Sequence, residues 1–144
     1  MGKLGIFNIN IFFEGLFFVF LRFLAFSFMV NISSNSTYSH PKMSIYSGSK
    51  AAVDSFTRYW AKELAKDGVR VNAIAPGSIE TDIWNKANMP TEQIIKYKEI
   101  VKNSIPCGRF GTPEEISNLA LFIVSDDASY VNGSIIAIDG AGDF

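Results

Sequence analysis

Tyr46 and Lys50 stand four residues apart, so a helix carries both side chains on one face. A lysine ammonium about 4 Å from a phenol, at an effective dielectric of about 20, favours the phenolate by up to roughly 4 kcal/mol. Such a pair can exchange a proton with a substrate oxygen near neutral pH. The spacing is weak on its own. With five tyrosines in 144 residues, Y-x-x-x-K arises by accident with a probability of very roughly a third, and then marks only an exposed helix start. The other candidates read as structural. His40 lies in a polar loop with no base or nucleophile partner in sequence, a surface residue. Cys107, beside Pro106, reads as a small buried or half-buried filler. Tyr59 and Trp60 read as packing against a neighbouring subunit or sheet, and Arg109 as a surface or interface charge. One cysteine and one histidine exclude a disulfide framework and a thiolate metal site, so no metal is expected.

The elements that must hold Tyr46 and Lys50 are legible from residue 28 onward. Phe28 to Ile32 is a short apolar run closed by Ser33-Ser34, a buried strand. Val53, Phe56, Trp60 and Leu64 recur at three- and four-residue spacing, so residues 46 to 66 form a helix stopped by Asp67-Gly68. Val69 to Ile74 reads as a strand ended by Pro76-Gly77, since proline cannot continue a central ladder. Residues 91 to 104 carry Ile94, Ile95, Tyr97, Ile100 and Val101 among lysines and glutamates, an amphipathic helix after Pro90. Thr112-Pro113-Glu114-Glu115 combines a capping hydroxyl, a first-turn proline and a reciprocal glutamate, so a helix starts there and buries Ile116, Leu119, Ala120 and Ile123. Ser134 to Ile138 is too short for a helix and reads as a buried strand stopped by Asp139-Gly140. Strand alternating with helix implies an α/β fold with a parallel sheet.

Composition bounds the function. The formal net charge is -1 with 19% charged residues, which excludes the phosphate-neutralising surface that nucleic acid requires. The phenylalanines crowd into the first 30 residues, where charge is scarce. The run 11–30, about 30 Å long as a helix, is just able to span a bilayer. Its 14 strongly apolar residues contribute roughly -6 kcal/mol in all, while Glu14 and Arg22 cost about +5 to +6, so the balance is close to zero. Three readings stay open for this stretch: a membrane anchor through 11–30, a signal peptide with Ala25-Phe26-Ser27 as its cleavage site, or an artefact of gene assembly that stands in for a true N-terminal half. Export would expose Asn31-Ile32-Ser33, Asn35-Ser36-Thr37 and Asn132-Gly133-Ser134 as glycosylation acceptors, which argues against secretion. The expected location is cytoplasmic, with membrane association the alternative.

Asn31-Ile32-Ser33-Ser34, Tyr46-Ser47-Gly48-Ser49-Lys50 and Asn72-Ala73-Ile74-Ala75-Pro76-Gly77 occur in this order. They are followed by Gly108-Arg109-Phe110-Gly111-Thr112-Pro113-Glu114-Glu115-Ile116, Val131-Asn132-Gly133 and Asp139-Gly140. Together these motifs resemble the short-chain dehydrogenase/reductase family over about residues 29 to 144. The resemblance implies the C-terminal half of a Rossmann-like, doubly wound parallel sheet, with 29–144 as a truncated catalytic domain and 1–28 as an unrelated apolar segment. It implies a nicotinamide-dependent oxidoreductase, using NAD or NADP, that moves hydride between the cofactor and a small ketone or secondary alcohol.

By the same resemblance, Tyr46 transfers the proton to or from the substrate oxygen, Lys50 holds the nicotinamide ribose, and Ser34 bonds the substrate carbonyl. Ser33 competes with Ser34, because the usual spacing to the tyrosine favours it while the motif favours Ser34. Pro76, Gly77, Ile79 and Thr81 correspond to the loop that meets the nicotinamide, Ile79 through its backbone and Thr81 through its hydroxyl; residues 82 to 105 correspond to the variable substrate loop. Gly2, Gly5 and Gly15 do not make the family's glycine-rich pyrophosphate turn, and the N-N-A-G segment has no counterpart. The expectation is therefore an impaired enzyme whose open sheet edge invites association. The alternative is a non-catalytic fragment that oligomerises with full-length relatives through the long helix and last strand, elements the family uses for its dimers and tetramers.

Overall fold

The structure is a computed structural model, and it describes residues 28–37, 43–82 and 90–142. The apolar run up to Ser27, His40 and residues 83–89 of the expected substrate loop lie outside the described residues. Three strands form one parallel sheet in the order β1 (Phe28–Ile32), β2 (Arg70–Pro76), β3 (Ile135–Ile138). The helices between them are α1 (Ser44–Leu64), α2 (Thr91–Ser104) and α3 (Pro113–Val124). The chain is thus α/β and Rossmann-like, as expected. Residues 28–30 of the membrane-anchor run belong to β1, and no described helix is long and apolar enough to cross a membrane.

β2 is the central strand, and five of its seven residues are buried. Val71 packs on Ala61 and Leu64 of α1, with Met29, Trp60 and Val69 around them. The next pleat position toward the N-terminus, Arg70, reaches the other way and donates to the carbonyls of Ile123 at 2.7 Å and Ser125 at 3.0 Å. Arg70 therefore caps the C-terminus of α3, where unsatisfied carbonyls carry partial negative charge. α1 covers one face of the sheet and α3 the other. Both connections step the sheet in the same direction, so the two crossovers have opposite hands, and one is the seldom-seen left-handed kind.

The ladder runs further than the sequence suggested, because β2 includes Pro76. The N–H groups of Ala73 and Gly77 go to the Ser134 and Ile138 carbonyls on the β3 side, so an N–H at residue 76 would point at β1. β1 has ended at Ile32, opposite Ile74, and the proline removes a donor that has no ladder to serve. β3 is half-buried rather than buried, as an edge strand with a free side.

Thr112 closes a capping box on α3: its hydroxyl accepts from the Glu115 N–H, while the Glu115 carboxylate accepts from the Thr112 N–H at 2.8 Å. α2 forms over the expected residues but buries none of them, leaving Ile95, Tyr97 and Ile100 exposed. Two asparagine side chains, buried Asn72 and exposed Asn132, close the sheet's lower end. Asn72 donates to the Val131 carbonyl and accepts from Ser134 N–H, and Asn132 accepts from Val71 N–H at 2.8 Å.

Candidate active site

The residues singled out from sequence converge on the C-terminal ends of the parallel strands, where open α/β sheets bind their ligands. Ser33 and Ser34 follow β1, Gly77 follows β2, and Asp139 follows β3. α1 begins at this end and puts Tyr46 and Lys50 in its first two turns. Lys50 Nζ lies 5.8 Å from the centre of the Tyr46 ring and donates to the Ile32 carbonyl at 2.9 Å. Tyr46 as a residue is about two-fifths exposed, at 43%, and its hydroxyl makes no hydrogen bond among the described residues. It is open to a ligand.

The two serines part ways. Ser33 is 2% exposed and its Oγ donates to the Lys50 carbonyl at 3.5 Å, so it ties the end of β1 to α1. Ser34 Oγ accepts the Ser36 N–H at 3.1 Å and so builds the turn that opens with Asn35. Neither hydroxyl bonds Tyr46. A further polar contact between the same elements, unforeseen in the sequence, joins Asn31 Nδ2 to Thr57 Oγ1 at 2.9 Å.

The 77–82 loop is anchored through Ile79, which pairs with Gly111 in a parallel bridge. Gly111 donates to the Ser78 carbonyl at 3.0 Å and accepts from the Glu80 N–H at 2.9 Å. Those bonds use the residues on either side of Ile79, so its own N–H and C=O stay unbonded among the described residues. A side chain at Gly111 would meet Ile79 Cδ1 at 2.7 Å, and one at Gly77 would meet Asp139 Cβ at 2.5 Å. Gly77 is required by this approach, because Asp139 Cα stands 2.8 Å from the same point, whereas the Ile79 side-chain tip beside Gly111 can turn away. Thr81 is exposed, and Glu80 forms an ion pair with Lys98 that ties α2 to the loop. The Ile79 backbone thus offers one donor and one acceptor side by side.

Arg109 is a surface charge, as expected, and it has a partner. Its guanidinium grips Glu115 at 2.6 and 3.0 Å, bidentate, which together with the Thr112 N–H lowers the Glu115 pKa to about 2. Cys107 is exposed, not a buried filler, and its N–H donates to the Gly140 carbonyl at 3.2 Å. Trp60 stacks on Phe56 within α1 at 5.4 Å, while Tyr59 stays largely exposed. Gly111 and Asp139 gained their weight only from the structure; their sequence signal was confined to the surrounding motifs. No cluster of metal-ligating side chains occurs among the described residues.

A family sequence model described as enoyl-(acyl carrier protein) reductase, of the short-chain alcohol dehydrogenase type, matches residues 24–141. The chain belongs to the short-chain dehydrogenase/reductase family. It is 47% identical over 113 residues to the 3-oxoacyl-[acyl-carrier-protein] reductase FabG of Thermotoga maritima, covering 78% of this chain and 44% of that protein. It is 46% identical over 114 residues to a 3alpha-hydroxysteroid dehydrogenase of Mediterraneibacter gnavus, covering 78% of this chain and 43% of that one. Among solved structures, a short-chain dehydrogenase/reductase of unknown function from Caenorhabditis elegans, crystallised with cofactor, superposes with a TM-score of 0.76 at 34% identity. That match covers 92% of this chain and 52% of the other. A 7 alpha-hydroxysteroid dehydrogenase complexed with NADH and 7-oxo glycochenodeoxycholic acid superposes with a TM-score of 0.71 at 34% identity, covering 80% of this chain and 44% of that chain. The chain thus spans less than half the length of these curated relatives. The family carries out NAD(P)-dependent oxidoreduction of small carbonyl and alcohol substrates.

Proposed function

We propose that residues 29–144 carry the proton-transfer and nicotinamide-facing half of an NAD(P)-dependent oxidoreductase acting on a ketone or secondary alcohol. Tyr46 donates a proton to the substrate oxygen in reduction and accepts it in oxidation. Ser34 hydrogen-bonds the same oxygen. Lys50 holds the ribose hydroxyls and keeps a positive charge beside Tyr46. The Ile79 backbone and the Thr81 hydroxyl take the carboxamide, with Pro76 and Gly77 setting the approach of the loop. The bound nicotinamide supplies or takes the hydride. The observation that carries this reading is the pairing of Tyr46 and Lys50 on one face of α1, at the strand ends where the Ile79 backbone is left unbonded. The substrates in the names of the relatives, 3-oxoacyl chains and hydroxysteroids, support a carbonyl or hydroxyl group on an apolar body. We place the protein in the cytoplasm.

A second reading has its own observation. Ile45, Phe56 and Tyr59 are all more than half exposed on α1, and Leu121 and Phe122 on α3 are exposed as well. Such apolar surface favours association with another chain, and a non-catalytic fragment that joins full-length relatives would use it. Fluorescence titration of the purified chain with reduced cofactor separates the two: micromolar binding sinks the fragment reading, and absence of binding sinks the enzymatic one.

A further inference from the structure

We propose that Asn35 and Asp139 form a hydrogen-bonded latch across Gly77 that positions the 77–82 loop, a role that rests on the reading of this loop as the nicotinamide-facing segment. Asp139 Oδ2 is buried without a hydrogen-bond partner, although Oδ1 accepts the Ala141 N–H at 3.1 Å. A buried carboxylate oxygen left unmatched is costly, and native folds almost always supply a donor. Asn35 stands beside it. Its Nδ2 lies 3.2 Å from the point a Cβ at Gly77 would occupy, and Asp139 Cβ lies 2.5 Å from that same point. The two side chains approach each other over a residue that has none, and the Asn35 amide makes no hydrogen bond among the described residues. A turn of its short side chain brings a donor to the vacant acceptor.

The placement gives the latch its consequence. Asn35 is the residue after Ser34, Asp139 follows the last residue of β3, and Gly77 opens the loop that carries Ile79 and Thr81. Joining the first two across the third makes the serine turn, the loop and the end of β3 one unit. Asn35 and Asp139 are positioning residues, which touch neither substrate nor cofactor.

Amide hydrogen exchange, read residue by residue by NMR on the full chain, tests this. The probes are the Gly77 N–H, bonded to the Ile138 carbonyl at 3.0 Å, and the Glu80 N–H, bonded to the Gly111 carbonyl at 2.9 Å. Asn35→Ala and Asp139→Ala should each speed exchange there about tenfold or more, the size of one charge-assisted hydrogen bond. The double variant Asn35→Ala/Asp139→Ala should exchange no faster than Asp139→Ala alone, and the Ser33 and Ala73 amides of the sheet should stay unchanged. Exchanging the pair, Asn35→Asp with Asp139→Asn, should restore protection. Additive effects, a uniform change across the sheet, or no change at Gly77 and Glu80 would overturn the latch. Exchange is read without cofactor or substrate, so an inactive chain leaves this test intact and a failed latch leaves the catalytic reading standing.

Discussion

Lys50 Nζ donates to the Ile32 carbonyl at 2.9 Å, on the side of β1 that faces away from β2. The direction follows from the ladder. Ser33 N–H bonds the Ile74 carbonyl at 2.7 Å, so the groups of Ile32, one residue earlier, point to the opposite edge. One lysine thus satisfies an edge carbonyl and fixes a positive charge beside Tyr46.

Replacing it separates the two roles. Lys50→Met keeps the stem but frees the carbonyl, and because the contact is solvent-exposed it should cost less than about 1 kcal/mol in thermal denaturation. Cofactor affinity should fall much more than stability. A large loss of stability with unchanged cofactor binding would make Lys50 a structural residue.

Tyr46→Phe removes a hydroxyl that bonds nothing among the described residues. Stability should stay within about 0.5 kcal/mol of wild type. Ketone-dependent cofactor oxidation should drop by roughly 100- to 10,000-fold, the usual contribution of a positioned acid. Steady-state kinetics beside a melting curve checks both halves.

Ala141 adopts φ 63°, a left-handed conformation that disfavours every residue with a Cβ. Ala141→Gly relieves this at an exposed position and should stabilise the chain by about 1 kcal/mol, seen as a higher denaturation midpoint. An unchanged or lower midpoint would contradict the backbone conformation.

Glu115 is held ionised by Arg109 and the Thr112 N–H, with its pKa lowered to about 2 from an ordinary 4.5. A carboxylate depressed by folding adds stability that is fully present above its unfolded pKa and is lost as pH falls through the folded one. Wild type should therefore melt higher than Glu115→Gln above pH 4.5, and the gap should shrink as pH is lowered toward 2. A gap independent of pH would assign the effect to packing.

Several elements were legible because their signals are local. Thr112-Pro113-Glu114-Glu115 states its own helix start, and the apolar runs of β1 and β3 are bounded by Ser33-Ser34 and Asp139-Gly140. The helix spacing also put Tyr46 and Lys50 on one face, and Lys50 Nζ lies 5.8 Å from the centre of the Tyr46 ring. What failed depended on partners distant in sequence. Pro76 looked like a strand terminator until the length of β1 was known, since a proline is harmless where the neighbouring strand has stopped. Cys107 was read by residue type, yet it is exposed, on a segment held by the Gly140 carbonyl that its N–H meets. The choice between Ser33 and Ser34 turned on a motif against a spacing, and neither reveals that Ser33 engages the Lys50 carbonyl.

The most direct measurement of the central claim is a titration of the isotope-labelled chain with NADH, followed amide by amide in NMR spectra. The account predicts saturable shifts at Tyr46, Lys50, Ile79 and Thr81. Shifts at the opposite end of the sheet, in the cleft lined by Gly68, Val69, Tyr130 and Asn132, would contradict it, as would a spectrum that cofactor leaves unmoved.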